Sequence, residues 1–126
     1  MAPRKKRRRR SDGIATRKRI IREATKMFAA GGYEATSLRQ ISAAADIDIA
    51  TLKYHFGDKA NLFAKVYEKG HMSFLEAVMP IMEQMEDAST RVEVGDAVEV
   101  LVVQMHDFVA DHLDFVKLTL FRLLEE

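Results

Sequence analysis

An all-α fold is predicted by three observations on these 126 residues. Apolar side chains recur at helical spacing along most of the chain, strand-like alternation is almost absent, and there are only two prolines to interrupt the pattern. The apolar share of 48% is ordinary for a folded protein, and the length suits one medium domain or a small one with part of another. With no cysteine there is no disulfide framework, zinc-binding cysteine pair or thiol nucleophile, which fits a reducing compartment.

The formal charge of +1 conceals two opposed halves. Residues 1–59 carry 15 Lys or Arg against 6 Asp or Glu, a balance of +9, and residues 60–126 carry 5 against 13, a balance of −8. The first half is the candidate nucleic-acid face.

Residues 1–13 hold Arg4, Lys5, Lys6, Arg7, Arg8, Arg9 and Arg10, consecutive cations with no apolar residue to bury. Self-repulsion predicts a disordered arm that follows phosphates or enters a minor groove. No apolar stretch follows it, so it is not a secretory signal.

A second unit, residues 14–60, begins with a helix from Thr16, as N-cap, to Ala30, where Gly31-Gly32 ends it. Ile20, Ala24, Met27 and Phe28 form its buried stripe, and Arg17 near its start is placed to meet a phosphate. Thr36 to Phe56 then reads as two short helices joined by a tight turn at Asp46-Ile47. Thr36 or Ser37 caps the first and Asp48 the second. Ile41, Ala44 or Ala45, Leu52 and Phe56 face inward. This leaves Ile49, Ala50, Thr51, Lys53, Tyr54 and His55 outward to varying degree, with Arg39 and Gln40 on the preceding helix. A short helix with few apolar anchors and an exposed polar row suits the major groove, and a guanidinium at Arg39 suits the O6 and N7 of guanine. His55 reads as a phosphate donor, since no nucleophile or carboxylate beside it would make it a catalytic base.

These residues resemble the DNA-binding domain of the TetR family of transcriptional regulators, over about Thr16 to Val66. The resemblance rests on Thr16-Arg17, Ala24, Phe28, Gly32-Tyr33, Thr36-Ser37, Ile41, Ala44-Ala45, Thr51-Leu52, His55-Phe56, Lys59 and Leu62. Asp46 and Ala50 stand where the family often has Gly, and Lys53 where it usually has Tyr. A cation at Lys53 allows a phosphate contact of different geometry. The resemblance implies a homeodomain-like three-helix reader joined by a long helix to a ligand-binding and dimerisation domain. It also implies a ligand-responsive repressor on a palindromic operator, acting as a dimer on double-stranded DNA in a bacterial cytosol. Lys59 matches a nearly constant family position, where it assists by charge or by packing its stem, and with Thr36 and Ser37 it joins the candidate DNA contacts.

Residues 61–126 then form a partial helical regulatory domain. A long helix runs from Lys59 toward Met85, with Pro80 expected to kink or interrupt it. Val94, Val98, Leu101, Val102, Met105, Phe108 and Val109 mark one face of a further helix, with a corner at His112. A last helix from Phe115 to Leu124 is apolar nearly all round. The family usually continues through more helices, so a shortened chain is expected. Phe74, Met82, Met105 and Phe108 are the candidate lining of a pocket for an apolar or cationic effector, with core packing as the plainer reading. No metal, cofactor or membrane partner is expected, and no constellation supports an enzyme. The rival reading is a helical interaction module whose arm binds nucleic acid without sequence preference.

Overall fold

A computed structural model describes the backbone of residues 2–125 and the side chains of residues 12–125. Among the described residues six helices follow one another: α1 (Ala2–Ala35), α2 (Leu38–Ala44), α3 (Ile49–Phe56), α4 (Lys59–Asp87), α5 (Arg91–Asp111) and α6 (Leu113–Glu125). Among the described residues there is no strand, and no helix is long and apolar enough to cross a membrane.

The first four helices close one core. Ile20, Ala24 and Phe28 of α1 meet Ile41 of α2, Leu52 and Phe56 of α3, and Leu62 and Val66 of α4, none more than 2% exposed. Each large side chain removed from water contributes about 1.5–3 kcal/mol before ordering costs. Phe28 and Tyr33 pack around Phe63, whose ring lies edge-on at 5.1 Å and 5.2 Å from theirs.

Where a disordered arm was expected through residue 13, the described backbone is helical from Ala2. Lys and Arg are good helix formers and Pro3 sits in the first turn, where a missing N–H costs nothing. Thr16 is therefore not a cap. Its hydroxyl donates to the Asp12 carbonyl at 2.8 Å within the helix. The side chains of the cationic run lie outside the described residues. At the other end the helix breaks as expected, with Gly32 at φ 83°.

Pro80 does not interrupt α4, which is helical from Lys59 to Asp87. The residue is exposed, so water can satisfy the carbonyl that lacks a helical partner. Packing also corrects the expected face of α5. Ala97 and Phe108 are buried and Leu101 and Met105 half-buried, whereas Val94, Val98, Val102 and Val109 are exposed. The small Ala97 admits close approach on one side, and a helix packed chiefly by α4 buries one narrow stripe. α6 folds back chiefly onto α1, placing Leu118 in the reader core at 1% exposure.

Candidate nucleic-acid interface

Local chemistry sets both ends of the short helices. Ser37 caps α2 in a reciprocal box: its Oγ accepts from the Gln40 N–H at 3.2 Å, and Gln40 Oε1 accepts from the Ser37 N–H at 2.9 Å. Asp48 caps α3 by accepting from the Thr51 N–H at 2.6 Å. Hydrogen bonds from Thr51, the hydroxyl ahead of the backbone, hold the Asp48 carboxyl below its ordinary value against a small opposing effect of burial. Between the helices Asp46 takes φ 54°, a left-handed turn geometry that Asp tolerates better than most residues.

Leu52 and Phe56 anchor α3 one turn apart, so the opposite surface is set by helical geometry. Tyr54 is 86% exposed, Lys53, Ala50 and Ile49 stand in solvent beside it, and Thr51 and His55 are half-buried. Arg39 and Gln40 are exposed on α2. Four of the sequence candidates, Ile49, Ala50, Lys53 and Tyr54, thus share one face of one helix.

Besides Ser37 and Gln40, which cap α2, three candidates have other work. Thr36 is buried, and its hydroxyl donates to the carbonyl of Gly32 at 2.8 Å, so it ties the glycine corner rather than offering itself to a ligand. Lys59 donates from Nζ to the Tyr33 carbonyl at 2.9 Å, and its ammonium lies 4.2 Å from the Tyr33 ring centroid. Arg17 donates from Nη1 to the His55 carbonyl at 3.0 Å and stacks 4.5 Å from the Phe56 ring centroid.

The Arg17 contact satisfies a carbonyl that the end of α3 leaves without a helical partner. Its neighbour, the Phe56 carbonyl, accepts from Asn61 Nδ2 at 2.6 Å. Asn61 escapes sequence reasoning, because nothing local links it to the end of another helix. Burial, and secondarily the charge of Arg17, hold the His55 imidazole below its usual value of 6.5. The pocket candidates lie on α4 and α5. Phe74 and Phe108 pack edge-on at 5.5 Å, Met105 is half-buried and Met82 is 48% exposed.

Residues 20–66, which span these helices, match the family described as bacterial regulatory proteins, tetR family. The HTH-type transcriptional repressor NicS of Pseudomonas putida is 31% identical over 104 residues, 80% of this chain and 45% of NicS. Residues 20–66 are thus a TetR-family N-terminal domain. The HTH-type transcriptional regulator AcrR of Shigella flexneri is 36% identical over 53 residues, 42% of this chain and 25% of AcrR. The probable regulator YttP of Bacillus subtilis is 24% identical over 78 residues, 62% of this chain and 38% of YttP. The matches take in less than half of each relative's own length. A solved HlyIIR mutant superposes at TM-score 0.44 and 19% identity over 81% of this chain and 66% of that one. The TetR-family relatives are named as regulators of transcription, not as enzymes.

Proposed function

We propose that this chain is a DNA-binding transcriptional regulator whose α3 reads the major groove. The observation that carries the reading is the solvent-facing row of Ile49, Ala50, Lys53 and Tyr54 on a helix held by Leu52 and Phe56. Arg39 adds a guanidinium from α2, and Lys53 with His55 supplies phosphate contacts. Two readers on a two-fold operator, repression, release by a small effector and action in the bacterial cytosol complete the proposal. Pairing is supported by the apolar surface that α5 and α6 leave open, where Val92 is 72% and Leu124 85% exposed.

The test is binding of the chain to the DNA upstream of its own coding sequence against a scrambled duplex, by fluorescence anisotropy at two salt concentrations. Preference for the upstream DNA is expected to survive the higher salt. Arg39→Ala and Tyr54→Ala should each reduce that preference about 5- to 150-fold, the range for a base contact worth ~1–3 kcal/mol. Equal binding to both duplexes that collapses with salt would instead identify a nonspecific basic arm.

A further inference from the structure

A cleft of about 610 Å³ opens between α1, α4 and the corner joining α5 to α6, away from the α3 surface. Lys18, Arg22 and Lys26 line one wall at intervals of four residues, the spacing that places side chains above one another on a helix. Lys69 of α4 stands in the other wall. The base is apolar: Gly70 has no side chain, and the Phe115 ring occupies the space its Cβ would need, beside Val66.

The charges in this cleft are unbalanced. Its lining holds four cations against two carboxylates, Asp111 and Asp114, and among the described residues no ion pair joins the two sets. Arg22 and Lys26 reach Glu23 at 3.6 Å and 3.8 Å; Glu23 lies outside the lining with a half-buried side chain, while the two cations are 62% and 58% exposed. Such loose pairs compete weakly with a ligand. The His112 ring stacks on Phe108 at 4.3 Å and hydrogen-bonds the Phe108 carbonyl through Nδ1 at 3.1 Å, which fixes the end wall.

We infer that this cleft binds a small organic anion, its carboxylate or phosphate held among Lys69, Arg22 and Lys26 and its apolar body on Val66 and Phe115. The volume falls in the range of small-molecule sites. The sign is opposite to the apolar or cationic effector suggested by the acidic C-terminal half, because the walls come from the basic α1 and from Lys69. The inference does not depend on DNA reading, and its test uses no DNA.

Isothermal titration of the whole chain with octanoate, octanamide, octylamine and inorganic phosphate tests it. Octanoate should bind saturably and at least about tenfold more tightly than each of the others, reflecting both charge and apolar body. Lys69→Gln and Arg22→Gln, both at exposed positions, should each weaken octanoate about three- to fivefold with unchanged thermal unfolding. Four results would overturn the inference: no saturable octanoate binding up to about 10 mM, a range that spans weak millimolar sites; octylamine or octanamide equal to octanoate; phosphate equal to octanoate; or octanoate affinity indifferent to both substitutions.

Discussion

Replacing Arg17 by Ala removes one guanidinium that does two things at the end of the reading helix. It donates to the His55 carbonyl at 3.0 Å and lies 4.5 Å from the centroid of Phe56, a core residue. A hydrogen bond from a charged donor is worth ~1.5–3 kcal/mol, and a partly solvated cation–π contact ~0.5–1 kcal/mol. Because both are made by the same half-buried group, their sum is discounted, and R17A should lose about 1.5–2.5 kcal/mol of stability. Arg17→Lys keeps the charge but cannot both lie flat on the ring and reach the carbonyl, so it should recover only part of the loss. Urea unfolding followed by circular dichroism gives the stability. NMR titration of His55 gives an independent readout, because loss of the Arg17 charge should raise the imidazole pKa while its burial persists. The clamp would be refuted if R17A unfolded within about 0.5 kcal/mol of the parent and His55 titrated unchanged.

The same imidazole sets a pH dependence. Its folded pKa lies below 6.5, so as pH falls below that value the unfolded chain takes the proton first. The His55 contribution to stability should therefore be fully present above about pH 6.5 and decline as pH falls toward the folded value, a slope that shrinks in R17A; a stability constant through that window in the parent would contradict it. Asp48→Ala should speed amide exchange at Thr51 while Asp48→Asn keeps it slow, since the cap needs an acceptor rather than a charge. Asp46→Gly should raise the urea midpoint, by about 0.5 kcal/mol in stability, because glycine enters φ 54° without strain; a loss would show that the Asp side chain matters more than the backbone. Gly70→Ala should cost about 1–3 kcal/mol by driving a methyl into Phe115, and adding Phe115→Ala should cost less than the two changes separately, as a double-mutant cycle would measure.

Much of the reader was legible because its signals are local. Caps act over three residues, so Asp48 could be read directly as the cap of α3, and the cap of α2 narrowed to Thr36 or Ser37. The left-handed turn needs a tolerant residue, and Asp46 is one. The spacing of Leu52 and Phe56 decides which side of α3 faces out, whatever surrounds it. Side chains that reach across the fold were less legible. Arg17 meets His55 across 38 positions and Lys59 meets Tyr33 across 26, so Arg17 read as a phosphate contact and Lys59 as a DNA-side charge when the local neighbourhood was all there was to see.

By itself, then, the sequence determined an all-α chain with a TetR-like reader, because hydrophobic period, capping and turn chemistry are short-range properties. Tertiary structure alone decided that Thr36 is buried, that α5 packs through Ala97 and Phe108 rather than its valine stripe, and that α6 returns to α1. Helical periodicity offers each helix several apolar faces, and only the neighbours that arrive choose among them. The unbalanced cleft has the same origin: its cations come from α1 and α4 and its carboxylates from the α5–α6 corner, so no one stretch of sequence contains it.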